Sequence, residues 1–334
     1  MCNKTVRKLA LFFIVFSLVL TLTACAKTVQ TTTSPESATL RLAALKGPTG
    51  IGLVKLMADH DAGLTRYDYT FSLSATPDDV VALVSSGQVD IAALPTNVAA
   101  ILYQKTNQSI QLLAVNTLGV LYILENGDRV HSIEDLAGRT LFATGQGAVP
   151  EYVIRELLEK AGIADQVTVT YKTEHEELAT LAAADKVDLV MLPEPFVTSV
   201  LNKNKKMRIA LDLTSAWKSM HQNENQSELA MGCMIVNKEF AKKYPQAIAT
   251  FLEEYKESVD FVNQNPQKAG EWVAQYGIMG DAKLAAQAIP NCHIVCISGE
   301  DMKPILEPFF KILYAANPAS IGGSLPDDEF YYIP

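Results

Sequence analysis

From Leu40 onward the chain alternates short apolar runs with segments whose apolar residues recur at helical spacing. Strands are predicted at Leu40–Leu45, Tyr67–Leu73, Val89–Leu94 and Ile110–Val115, separated by helices at Thr49–His60, Pro77–Ser86 and Asn97–Gln104. Thr76-Pro77-Asp78-Asp79 is a helix start, with a capping threonine, proline at the first helical position and acids in the first turn. The pattern then begins again. Strands are predicted at Gly119–Leu124, Thr140–Ala143, Val167–Tyr171, Asp188–Leu192 and Met207–Leu211, and helices at Ser132–Gly138, Pro150–Ala161 and Glu174–Ala184. Asn202–Arg208 and Trp217–Glu228 read as polar loops, and Leu229–Val236 and His293–Ser298 as further strands. Helices follow at Pro245–Asn263, Pro266–Tyr276, Asp281–Ile289 and Asp301–Ala315, and Asn317–Pro334 reads as an extended tail.

This alternation predicts an α/β fold of two similar lobes, each a mostly parallel sheet covered by helices. Residues 39–118 and 230–334 are expected to form lobe 1 and residues 119–229 lobe 2, joined by crossover strands near 119–125 and 229–236. Ligands of open α/β sheets bind beyond the carboxyl ends of the strands. Two facing lobes bring those ends to a shared cleft.

The first 38 residues lack this alternation. Lys4, Arg7 and Lys8 precede an apolar stretch from Leu9 to Leu22, which leads to Ala24-Cys25. Charged, apolar and small-residue regions in that order predict a secretory signal over 1–24. The stretch is shorter than the roughly 20 residues that span a bilayer, which disfavours an uncleaved anchor helix. Leu22-Thr23-Ala24-Cys25 resembles the lipobox of bacterial lipoproteins, which implies that the Cys25 thiol carries lipid. Residues 25–38 are Thr/Ser-rich and aperiodic, the composition of a flexible tether.

Composition narrows the functional classes. The 310 or so residues after the signal suit two lobes, and an apolar fraction of 49% excludes disorder. The formal charge is −9 overall and about −12 without the signal. No basic face is visible, so nucleic acid is not an expected partner. Cys233, Cys292 and Cys296 remain after the signal and Cys25 are set aside. Cys292 and Cys296 at the two ends of one strand would stand ~13 Å apart, too far to bridge. Cys292-His293 with Cys296 fits no zinc spacing, so buried structural thiols are the expected reading, with no metal and no cofactor.

Three strand-to-helix loops are candidate ligand contacts: Lys46-Gly47-Pro48-Thr49-Gly50, Pro95-Thr96-Asn97 and Thr144-Gly145-Gln146-Gly147-Ala148. Each precedes a helix and so offers free backbone N–H groups and a positive dipole end, and their glycines allow close approach. Ordinary capped turns are the alternative for any one of them. Asn116-Thr117 ends a strand and is either a cleft residue or a hinge turn. Glu194, between Pro193 and Pro195, is either an acceptor for an amine or amidine or a helix-start carboxylate. Glu174 has the same two readings. His175 reads as a surface residue, and Trp217 as packing or as a stacking platform. Tyr331 and Tyr332 lie in the terminal tail, which argues against iron. No lysine follows Gly145 and Gly147, so no nucleotide-hydrolysing loop is present. No nucleophile, base and orienter assemble from the sequence.

Taken in order, the lipobox, Leu45–Gly50, Gly87-Gln88-Val89-Asp90-Ile91-Ala92, Asp135-Leu136-Ala137-Gly138-Arg139-Thr140 and Leu192-Pro193-Glu194-Pro195-Phe196 resemble the nitrate/sulfonate/taurine and thiamine-precursor group of ABC-transporter substrate-binding proteins, over about residues 38–316. The resemblance implies a type II periplasmic-binding-protein fold and no enzyme activity. It also implies a monomer, lipid-anchored on the extracytoplasmic face, that closes on a small polar ligand and delivers it to an ABC permease. Two departures stand out. The cleft loops carry no arginine, which weakens the case for a strong oxyanion site. The histidine- and cysteine-rich site of the pyrimidine-synthesising relatives is missing. A sensor for a membrane receptor and an exported enzyme on the same fold are the alternatives.

Overall fold

The computed structural model describes residues 38–221 and 227–334. The expected signal, the lipidation site Cys25 and all of the tether but Ala38 lie outside those residues. In chain order the elements are β1 (Thr39–Leu45), α1 (Pro48–Ile51), α2 (Val54–Asp61), β2 (Asp68–Ser74), α3 (Pro77–Ser85), β3 (Ile91–Pro95), α4 (Thr96–Lys105) and β4 (Ile110–Thr117). Next come β5 (Leu121–Asn126), β6 (Thr140–Thr144), α5 (Val149–Lys160), β7 (Thr168–Lys172), α6 (His175–Ala183), β8 (Leu189–Pro193), α7 (Phe196–Lys203), β9 (Met207–Asp212) and α8 (Leu213–Met220). The chain closes with β10 (Gly232–Asn237), α9 (Lys238–Lys243), α10 (Pro245–Gln264), α11 (Pro266–Gln275), α12 (Ala282–Ala288), β11 (Ile294–Ser298) and α13 (Met302–Ala316).

Two sheets organise these elements. The first has the order β11-β4-β10-β3-β1-β2 and the second β7-β6-β8-β5-β9. β1 runs parallel to β2 and β3, whereas β10 runs antiparallel between β3 and β4. In the second sheet β6 is parallel to β7 and β8, and β5 is antiparallel to β8 and β9. The residues that alternate along β1 serve opposite faces. Leu40, Leu42 and Ala44 join one apolar cluster while Ala43 and Leu45 join another, as a strand covered on both sides requires.

The strands expected to cross between lobes are members of the sheets, β5 in the second and β10 in the first. The outward connection is only Leu118-Gly119-Val120, and the return lies between α8 and β10. Other expectations also shift. The helix expected over 49–60 is two pieces, α1 and α2, because the chain turns at Gly52-Leu53. α7 runs two residues into the stretch 202–208 read as loop, and α8 takes in 217–220 of the stretch 217–228, with Trp217 inside it. The terminal tail is not free: Phe330 is buried against Tyr103 and Phe310, and Tyr331 bridges Leu112.

The C-terminal helices touch elements of both sheets. Phe309 of α13 packs edge-on to Trp217 with ring centroids 6.0 Å apart, and Asn317 donates to the Tyr152 hydroxyl of α5 at 3.2 Å. On the other flank Asn202 of α7 donates to Gln287 of α12 at 2.6 Å. Among the described residues no helix is long and apolar enough to cross a membrane.

Candidate functional site

The carboxyl ends of β1, β3 and β4 deliver the first group of candidates. Gly47 ends the β1 turn at φ 115°, which a side chain would resist, and its carbonyl accepts from the N–H groups of Gly50 and Ile51. Asn116 donates through Nδ2 to Thr49 O at 3.1 Å, and Thr117 Oγ1 donates to Asn116 Oδ1 at 3.0 Å. Asn116 and Thr117 are buried, Thr49 and Pro48 are half-buried, and Lys46 is exposed beside them.

Gly232 on β10 makes this cluster possible. A Cβ there would stand 2.5 Å from Thr49 Cγ2 and 2.6 Å from Asn116 Oδ1. Gly232→Ala is therefore expected to cost about 1–3 kcal/mol as Thr49 and Asn116 are forced apart. Chemical denaturation checks this, and unchanged stability would show that the cluster yields freely.

Thr96 and Asn97 open α4 and are both buried. Thr96 N donates to Met231 O at 3.2 Å, and Met231 N donates to Thr117 O at 2.9 Å, so the return connection is tied to β3 and β4. Thr96 Oγ1 meets the buried Cys233 thiol and makes no other hydrogen bond. Asn97 is engaged elsewhere: its Nδ2 donates to Ser320 O at 3.4 Å and holds the terminal segment.

The second sheet supplies the remaining candidates. Thr144, buried at the end of β6, is bonded through Oγ1 to His175 Nδ1 at 2.6 Å. His175 is thus not a surface residue. It packs at 5.3 Å from the Phe196 ring, and burial lowers its pKa, which favours the neutral ring. The loop after Thr144 leaves Gln146 and Gly147 exposed and Ala148 half-buried. With Tyr171, Lys172 and Thr173, Gly145 and Gln146 line a hollow of about 280 Å³. The Gly147 N–H was expected to be free for a ligand, but it donates to Glu151 Oε2 at 2.5 Å. A carboxylate already occupies that anion position.

Glu194 lies between β8 and α7 and is only 1% exposed. Its N–H donates to Val120 O at 2.9 Å, which fixes the turn against the outward connection. Oε1 accepts from Thr198 Oγ1 at 2.8 Å and from Asn291 Nδ2 at 3.3 Å, and Oε2 accepts from Thr198 N at 3.0 Å. All three donors are uncharged. Burial raises the Glu194 pKa, and the hydrogen bonds from Thr198 and Asn291 only partly oppose it. Burial also pushes the Cys292 thiol well above its ordinary value, and the neighbouring Glu194 adds to the shift. Cys233, Cys292 and Cys296 are all free thiols.

Asn291 was not singled out in the sequence. It precedes β11, next to Cys292, and lies 97 positions from Glu194. Trp217 is a packing residue, 1% exposed, stacked on His221 at 4.2 Å, with its indole N–H donated to Ser227 Oγ. Among the described residues no group of acidic, histidine or cysteine side chains is arranged to hold a metal ion.

Solved structures share this architecture. An ABC transporter structure from Parabacteroides distasonis superposes with a TM-score of 0.75 at 24% identity, over 89% of this chain and 98% of that one. The periplasmic aliphatic sulphonate binding protein SsuA from Escherichia coli gives 0.68 at 15% identity, over 89% and 92%. The alkanesulfonate-binding protein SsuA from Xanthomonas axonopodis pv. citri, bound to MOPS, gives 0.59 at 14%, over 84% and 93%. The fold is thus that of the periplasmic binding proteins. Among curated proteins none matches the chain in sequence. The family described as NMT1/THI5 like matches residues 68–269, more than half of the chain, and this protein belongs to it.

Proposed function

We propose that this chain is the extracytoplasmic substrate-binding lipoprotein of an ABC importer. It captures a small polar ligand between its two sheets and presents it to the permease, and no bond is broken. The observation that carries this reading is the Glu194 carboxylate, buried with neutral donors and no basic side chain among them. A buried carboxylate is costly unless a cation or strong donor pairs with it. A ligand with an amino end supplies that partner. Its other end, an acceptor or anion, is assigned to the polar cluster of Thr49, Asn116 and Thr117 and to the α4 start at Thr96. The Parabacteroides, Escherichia and Xanthomonas likenesses support a binding role and include two sulfonate binders.

The test is a thermal-shift screen of aminosulfonates, alkanesulfonates, nitrate, carboxylates and aminopyrimidines. A ligand at 100 times its dissociation constant adds ~2.7 kcal/mol of stability. A panel that leaves the melting temperature unchanged counts against the reading.

The lipid anchor has its own test. Two acyl chains hold a protein on a membrane where one does not. Cys25→Ala is expected to move the protein from the membrane to the soluble fraction. Mass analysis of a wild-type N-terminus that carries unmodified Cys25 would overturn the anchor.

A further inference from the structure

The segment from Asn291 to His293 is fastened at every residue. The Asn291 carbonyl accepts from the Tyr122 hydroxyl of β5 at 3.1 Å, and Cys292 N donates to Ile289 O at 3.0 Å. His293, at φ 42°, accepts through its carbonyl from Leu118 N at 3.1 Å, and its Nδ1 is bonded to Gly119 O. The backbone that carries Asn291 is thus fixed, and its side-chain amide donates to Glu194 Oε1 at 3.3 Å.

This placement limits what Glu194 can accept. A carboxylate offers about four lone-pair sites, two on each oxygen. Thr198 Oγ1 and Asn291 Nδ2 fill both sites on Oε1, and Thr198 N fills one on Oε2. One site remains, on Oε2. Planar two-point donors such as amidinium and guanidinium groups bind a carboxylate through one hydrogen bond to each oxygen. An ammonium group needs only one.

We infer that Asn291 is a specificity-determining residue: by filling Oε1 of Glu194 it admits ligands that donate one hydrogen bond there and rejects ligands that donate two. The inference rests on the proposed reading of Glu194 as a ligand contact. Asn291 acts through Glu194, so it is a positioning residue, and its loss should change which ligand is preferred rather than only how tightly ligands bind.

Two measurements on Asn291→Ala test this, with Gln287→Ala on the preceding helix as control. The first needs no ligand. Carbon-detected titration of the Glu194 side chain is expected to move upward in Asn291→Ala and not in Gln287→Ala, because a donor to the carboxylate is lost. An unchanged titration would show that Asn291 does not hold Glu194 and would overturn the inference. The second compares 2-aminoethanesulfonate with its guanidino counterpart by calorimetry. The wild type should bind the amino compound at least tenfold more tightly, and Asn291→Ala should shift the affinity ratio about tenfold or more toward the guanidino compound. Binding that depends on Glu194 but keeps the same ratio in both proteins overturns this inference alone. Binding by neither compound to the wild type removes the reading of Glu194, and the inference with it.

Discussion

Glu194→Gln is expected to lower affinity for an amino ligand by roughly tenfold to a hundredfold, because a charge-assisted hydrogen bond worth ~1.5–3 kcal/mol is lost while the side chain keeps its shape. The same substitution has a signature in the ligand-free protein. Burial holds the folded-state pKa of Glu194 above its ordinary carboxylate value. The folded state thus binds this proton more tightly than the unfolded state does. The resulting stability is present below the unfolded value and is lost as pH rises through the raised folded value. Wild-type stability should therefore fall relative to Glu194→Gln as pH climbs through that window, and a cationic ligand should reverse the trend. Urea titrations of both proteins across that range check the sign. Parallel curves, together with equal ligand affinity, would reduce Glu194 to a helix-start carboxylate.

Glu125→Gln should produce the largest loss of stability, and for the opposite reason. Glu125 is fully buried at the end of β5, where it bonds Arg139 at 2.7 Å, Arg208 at 3.0 Å and the N–H groups of Arg129 and Val130. Burial alone would raise its pKa, but the Arg139 and backbone hydrogen bonds overcome this and bring it down to about 2. The carboxylate pins the 127–130 turn to Arg139, just before β6, and to Arg208 of β9. Removing its charge takes the buried carboxylate from Arg139 and leaves Arg208 only Asp128 at the surface, at a cost of about 3–5 kcal/mol. Because the folded value is depressed, this stability is present above the unfolded carboxylate value and is lost as pH falls toward about 2. The gap between wild type and Glu125→Gln should be wide at pH 7 and close under strong acid. A gap independent of pH would mean that shape, not charge, is what the substitution removes.

The two glutamates differ in what surrounds them. Both are buried. Glu125 faces two arginines, which hold its pKa down, whereas Glu194 faces only the neutral donors of Thr198 and Asn291, and burial raises its pKa.

The fold was largely legible because its strands are short, apolar and regularly spaced, and their periodicity is local. β3, β4, β6 and β8 lie close to where the apolar runs place them. α7 and α8 were not legible, since Asn202-Lys203 and the residues after Trp217 are polar and their apolar faces show only once Val197, Val200, Leu213 and Trp217 are seen buried. The turns of the candidate site were legible from their chemistry. The glycines at 47 and 147 and the prolines around Glu194 mark the chain's sharp turns. The site was illegible where it depends on partners distant in sequence. Asn291 reaches Glu194 across 97 positions, and Arg208 reaches Glu125 across 83. No spacing rule spans such distances. One local contact and one at longer range complete the picture. Glu151 accepts from the Gly147 N–H four residues away, and Thr144 meets His175 across 31 positions.

The measurement that bears most directly on the account is amide hydrogen exchange, with and without a saturating hit from the ligand screen. Capture between the two sheets predicts that protection rises together at residues 47–50, 96–97, 116–120 and 144–148 and at Glu194, segments contributed by both sheets. Protection confined to one sheet, or concentrated between α5 and α13 on the outer flank, would contradict it.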